Sequence, residues 1–176
     1  MTRPHLRQQA PDPWVLTHAH RVQSGPVLDL ACGGGRHGRV FLNKGLDVHF
    51  LDRDLVGVAD LQDTEGAYLH HVDLEDGSPW PFTTVQFQAI LVVNYLHRPL
   101  LPKLVNALKP GGLLLYKTFA DGNQKYGRPS NPDFLLRSNE LLEVFDGILD
   151  VLDCRQQKEE NPTRITQCLC AIKPGQ

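Results

Sequence analysis

Between Val27 and Lys173, short apolar runs alternate with polar breaks and with stretches of helical spacing. PVLDLA (26–31) is rich in strand formers and predicts a first strand. RHGRVFLNKG (36–45) puts Val40 and Phe41 on one helical face, and Gly45 stands where such a helix would end. LDVHFLDRD (46–54) alternates and predicts a second strand running into acids. LVGVADLQD (55–63) predicts a short helix, and AYLHHVDLED (67–76) a third strand, again running into acids. The centre of QFQAILVVNYL (86–96) is continuously apolar from Ala89 to Val93, as a strand covered on both faces requires. RPLLPKLVNALKPGG (98–112) spaces Leu100, Leu101, Leu104 and Leu108 helically, with Pro110-Gly111-Gly112 as its stop. LLLYKTFA (113–120) predicts the next strand, 121–133 a long loop, and NELLEVF (139–145) a short helix. ILDVLDCRQQ (148–157) and RITQCLCAIK (164–173) predict two strands joined by KEENP. That connection is too short for a parallel crossover and predicts an antiparallel hairpin.

Strands alternating with helices imply an α/β fold whose mostly parallel sheet is covered on both faces. Ligands of such sheets bind beyond the carboxyl ends of the strands, near the point where strand order reverses. The polar residues 1–13 predict a flexible N-terminal segment, and 14–176 a single domain. Trp14 lies far enough before the first strand either to anchor the core or to fold over a ligand.

At 176 residues, with 41% hydrophobic and 22% charged residues, the chain is long enough for a substantial core. A formal charge of −2 gives no general attraction to phosphate backbones or anionic membranes, which disfavours nucleic acid as a partner. No stretch has the apolar length of a membrane span or of a signal-peptide core, so a cytoplasmic protein is expected. The four cysteines read as reduced thiols. Cys32 lies inside a glycine loop, and Cys168 and Cys170 share one strand face. His18 with His20, and His70 with His71, lack a third ligand at metal-binding spacing, so no metal is expected.

The chemistry concentrates in VLDLACGGGRHG (27–38). Gly33, Gly35 and Gly38 satisfy G-x-G-x-x-G, which by itself fits a dinucleotide or another adenosine ligand. Asp52 closes the second strand nineteen residues after Gly33, where a carboxylate accepts both ribose hydroxyls. Asp29 discriminates. A pyrophosphate beside this acid would be repelled, whereas the ammonium and sulfonium of S-adenosylmethionine would be attracted. Asp73, with Leu74, ends the third strand within reach of an adenine amino group.

These residues make the chain similar to class I S-adenosylmethionine-dependent methyltransferases. Asp29-Leu30-Ala31-Cys32-Gly33-Gly34-Gly35 aligns with the family motif D-x-G-x-G-x-G, with Ala31 in place of the first glycine. Asp52 matches the family's ribose-binding acid, Asp73 its adenine-edge acid, and Asn94 the fourth-strand position lining the transfer site. The resemblance runs from about Trp14 to Lys173. It implies a Rossmann-like methyltransferase fold with a seven-stranded, mostly parallel sheet and a C-terminal antiparallel hairpin. It also implies S-adenosylmethionine held by Asp29, Ala31, Cys32, Gly33, Gly34, Gly35, Asp52, Arg53, Asp73, Leu74 and Asn94. Among subfamilies it is most similar to small bacterial tellurite-resistance-type and related small-molecule methyltransferases, acting as monomer or homodimer.

The acceptor is less legible. VVNYLHRPLL offers Asn94, Tyr95 and His97 as catalytic candidates, with His97 either a general base or a helix-start residue. It is not the N-P-P-Y arrangement of many base- and glutamine-methylating members. Arg98 either binds an acidic substrate or faces solvent. The loop YGRPSNPDF (126–134) is expected to cover the acceptor pocket, with Tyr126 and Arg128 touching substrate. Methyl transfer to a small molecule leads. A macromolecular acceptor, a non-catalytic S-adenosylmethionine-binding module and a nicotinamide-binding Rossmann protein remain as alternatives.

Overall fold

In the computed structural model, which describes residues 9–175, the chain builds one seven-stranded sheet in the order β3-β2-β1-β4-β5-β7-β6. The strands are β1 Val27–Leu30, β2 Val48–Asp52, β3 Ala67–His71, β4 Phe87–Val93, β5 Leu108–Phe119, β6 Asp150–Glu159 and β7 Arg164–Ile172. The first five run parallel, and β7 lies antiparallel between β5 and β6. Four α-helices accompany them: α1 Pro13–His18, α2 Gly38–Leu42, α3 Leu101–Ala107 and α4 Glu140–Phe145.

The continuous apolar runs arise because the central strands bury both faces. Leu28, Leu30, Ile90, Val92, Leu114 and Tyr116 point into one core with α3 and α4. Val27, Ala89, Leu91, Leu113 and Leu115 point into the other with α1 and α2. Cys168 and Cys170 share this second core, and all four cysteines are free thiols.

Several elements differ from their predicted form. Val56–Leu61 winds as a 3-10 helix rather than an α-helix. Its Gly57 lies so close to the glycine loop that a Cβ would stand 2.6 Å from the Gly33 carbonyl oxygen. Between β3 and β4, a segment for which the pattern predicts no element, Trp80 and Phe82 fold onto the core edge beside His49 and His70. The helix predicted over 98–112 ends at Ala107, and β5 already begins at Leu108. Of the expected flexible segment 1–13, residues 1–8 lie outside the described residues. Asp12 is buried and caps α1, its Oδ1 accepting the Trp14 amide at 2.9 Å. Trp14 is a core residue, and its indole Nε1–H donates to Asp153 at 3.0 Å. Among the described residues no helix is long and apolar enough to cross a membrane.

Candidate active site

The carboxyl ends of β1, β2, β4 and β5 open onto a cleft of about 490 Å³. The loop after β1 is shaped by close packing. At Gly35, φ is +68°, and a Cβ would meet Val58 at 2.7 Å and Phe50 at 3.0 Å. Ala31, the residue replacing the motif's first glycine, also takes a left-handed conformation, with φ 54°. An L-residue there carries strain that glycine would not.

Asp52 serves as a bracket for this loop. Its Oδ2 accepts the Gly33 amide at 2.8 Å and its Oδ1 the Asp54 amide at 3.0 Å. An ionised carboxylate has about four lone-pair sites, so roughly two remain for a ligand in the cleft. Of the expected site residues, Ala31, Asp52, Arg53, Asp73, Leu74, Asn94 and Tyr95 line the cleft. Asn94 holds φ 59° at the end of β4, and its amide donates to the Lys117 carbonyl. The Tyr95 hydroxyl donates to Glu75 at 3.1 Å. Burial, followed by the Glu75 charge, pushes this phenol upward, which favours its protonated form.

Other predicted residues sit elsewhere. Asp29 is buried, and its Oδ2 accepts the Gly38 amide at the start of α2 at 2.8 Å. Burial raises its carboxyl to about 7, against the smaller opposing effect of that hydrogen bond. Cys32 turns into the core, where burial raises its thiol. Gly33, Gly34 and Gly35 form the loop beside the cleft without lining it. His97 is half-buried at the start of the turn before α3 and does not line the cleft. Tyr126 and Arg128 are exposed and off the wall; Lys158 lies over the Tyr126 ring. The same loop reaches the cleft through Pro129 and Phe134 instead.

The loop is held as a fixed wall. Asn123, buried, donates to the Pro129 carbonyl at 3.1 Å and accepts the Ile165 amide at 3.1 Å. Arg98 is engaged within the chain. It pairs with buried Glu140 at 2.6 and 2.9 Å and donates to the Asp133 and Leu135 carbonyls. The residues sequence reasoning missed are Val72, Glu75, Leu96, Thr118 and Pro129, with Phe134. Most of these stand within two or three residues of a strand end already assigned to the site. Val72, Glu75, Leu96 and Thr118 lie inside the predicted strand segments 67–76, 86–96 and 113–120 without being singled out there, and Pro129 and Phe134 lie in the loop 126–134.

The histidines also have local partners. His18 Nε2 lies 3.2 Å from Asp153, His70 bonds the His49 ring at 2.9 Å, and His71 bonds the Arg53 carbonyl.

Strand order, glycine loop and strand-end acids together define the Rossmann-like class I methyltransferase fold. Comparison with known proteins agrees. No family model matches the chain. In sequence it is 30% identical over 123 residues to malonyl-[acyl-carrier protein] O-methyltransferase of Salmonella typhimurium, covering 67% of this chain and 48% of that protein. The chain spans about half the length of the curated relatives it matches. In structure it is similar to TehB from Haemophilus influenzae, with TM-score 0.74, 19% identity, and 93% and 62% of the two chains covered. It is also similar to a Burkholderia thailandensis 1,6-didemethyltoxoflavin-N1-methyltransferase that holds 1,6-didemethyltoxoflavin and S-adenosylhomocysteine. There the TM-score is 0.67 at 19% identity, over 90% of this chain and 75% of that one.

Proposed function

We propose that this protein binds S-adenosylmethionine in the cleft and directs its methyl group to a small, largely apolar acceptor. The observation that carries the reading is the Asp52–Gly33 bracket, which leaves carboxylate lone pairs facing the cleft. The residues present fit the cofactor. Asp52, Asp73 and Glu75 oppose a single cleft cation among the described residues, Arg53. That balance favours a cationic ligand. A pyrophosphate is disfavoured on a second ground. Asp29 already takes the Gly38 amide, one of the donors such a group would need at the start of α2.

When bound, the cofactor supplies an electrophilic methyl carbon on a positively charged sulfur. The chain's part is positioning and exclusion of water. Asp52 accepts ribose hydroxyls, while Asp73 and Leu74 border the base. Asn94, fixed through its own amide to Lys117, faces the transfer region. Tyr95, Leu96, Phe119, Pro129 and Phe134 give the acceptor an aromatic and apolar wall. With His97 off the cleft and Tyr95 held protonated, the site suits an acceptor nucleophilic without a strong base, such as a thiol or an uncharged amine. A carboxylic or phosphorylated acceptor would meet three carboxylates against the one cation among the described cleft residues, Arg53.

Calorimetry with S-adenosylmethionine, S-adenosylhomocysteine and NADH tests the cofactor. Labelled methyl transfer to thiol, arylamine, phenol, carboxylic acid and RNA panels tests the acceptor. Binding of the first two ligands with transfer to thiols or amines is expected. Binding of NADH alone overturns the cofactor, and transfer only to acids or RNA overturns the acceptor class.

A further inference from the structure

A cluster of buried charges lies outside the cleft. Lys117, on β5, is only 3% exposed, and its ammonium meets Asp12 Oδ1 at 3.0 Å, Asp12 Oδ2 at 2.8 Å and Glu159 on β6. An ammonium has three donors, and all are engaged. Arg164 on β7 closes the cluster against Glu159 and, at 3.5 Å, against Asp12. Stability alone is a weak reason for such a cluster, because desolvating the charges offsets much of their attraction.

The cluster's position suggests its use. Asp12 ends a strap, residues 9–12, that runs along the exit of the glycine loop. The Asp12 amide donates to His37 Nε2 at 3.2 Å. One residue earlier, Arg36 donates to the Gln9 side chain and to the Ala10 carbonyl, both at 3.2 Å. For His37 to accept, it must be neutral at Nε2, and burial lowers it to about 4, which keeps it so. At the other end of the cluster, the Lys117 carbonyl takes the Asn94 amide, and Thr118 and Phe119 line the cleft. One lysine therefore ties the strap that grips the loop to the strand that carries the transfer end of the cleft.

We infer that Asp12 and Lys117 are positioning residues that clamp the glycine loop against β5 through the strap, fixing the cofactor end of the cleft relative to the acceptor end. For cofactor affinity the inference rests on the methyl-transfer reading. The clamp itself is a property of the chain.

Asp12→Asn keeps the helix cap and shape and removes the charge facing Lys117. Hydrogen exchange of residues 33–38 in the unliganded protein is the first readout. The S-adenosylmethionine dissociation constant and the split between donor KM and kcat are the second. In folded Asp12→Asn, exchange in 33–38 should accelerate, and the dissociation constant and donor KM should rise, by about tenfold, the scale of one charge-assisted hydrogen bond. The value of kcat should fall as well, because loosening the clamp lets the cofactor end shift relative to the acceptor end. Arg36→Gln severs the strap from the loop side and should accelerate exchange there too, which keeps the test open if Asp12→Asn does not fold. Lys173→Gln removes two bonds to the Val105 and Leu108 carbonyls away from the cleft, and should lower the melting temperature without altering exchange in 33–38. Unchanged exchange in 33–38 in the first two variants, or equal acceleration in the third, overturns the clamp. If the wild-type protein binds no S-adenosylmethionine, the functional reading fails, while the exchange comparison still decides the clamp.

Discussion

The amide of Gly33 donates to Asp52 Oδ2 at 2.8 Å, so the loop after β1 is bonded to the last residue of β2. One carboxylate thus shapes the loop and faces the cleft. Asp52→Ala should weaken S-adenosylmethionine binding by about 1–3 kcal/mol, the scale of a lost hydrogen bond to a charged group. Calorimetry on the folded variant measures it. An unchanged dissociation constant would remove the ribose assignment.

Ala31 occupies a left-handed conformation at φ 54°. Replacing it with glycine should relieve backbone strain of roughly 1–2 kcal/mol, partly offset by the greater freedom of glycine in the unfolded chain. A rise in melting temperature of about 2–4 °C follows for a net gain of about 1 kcal/mol. Thermal melts of Ala31→Gly decide it, and an equal or lower midpoint counts against the strain.

Gly35→Ala should act in the opposite direction. The added methyl meets Val58 at 2.7 Å in a backbone conformation that alanine resists. A loss of about 2–4 kcal/mol is expected from combined strain and overpacking. Urea denaturation should show it as a lower midpoint at unchanged slope.

Arg98→Met leaves the Glu140 carboxylate, 2% exposed, without its cationic partner. Breaking a buried pair in this way costs about 3–5 kcal/mol, and the partial exposure of Arg98 puts this case at the low end. Because Arg98 also holds the Asp133 and Leu135 carbonyls, faster hydrogen exchange at 133–136 should accompany the loss.

Asp29 gives a pH signature. Burial raises its carboxyl from 3.8 to about 7, so the native state binds its proton more tightly than the unfolded chain does. The associated stability is complete below pH 3.8 and is lost as pH rises toward 7. Over that window it amounts to about 4 kcal/mol at 1.36 kcal/mol per unit. Asp29→Asn keeps an oxygen for the Gly38 amide and should remove this slope. The difference in unfolding free energy between the two proteins should therefore grow in favour of the variant from pH 4 to 7. Asp153, held near 2 by Arg155, and Glu159, held near 2 by Lys117 despite burial, oppose it. Their stabilisation is present above their unfolded values and is lost as pH falls toward 2.

Much of the site could be read from local pattern. Asp52, Asp73, Leu74 and Asn94 follow directly on strand-forming runs, and a parallel sheet delivers every such position to the same edge. The hairpin was equally legible, because KEENP is too short for any other connection. His97 shows where local reading fails. It follows Asn94 and Tyr95 by only a few residues, yet the chain turns toward α3 first and carries the ring off the wall. Tyr126 and Arg128 differ similarly: their loop reaches the cleft, but its conformation decides which of its residues line it, and those are Pro129 and Phe134.

The sequence by itself determined the alternating strand and helix pattern, the glycine loop, and the acids at the strand ends. Each of these is written in residues close along the chain. Only the tertiary structure decided that Asp12 meets Lys117 across 105 positions and Arg164 across 152. It also turned Asp29 inward to the Gly38 amide. Buried charges must find partners wherever packing brings them, and packing brings together residues that no spacing along the chain connects.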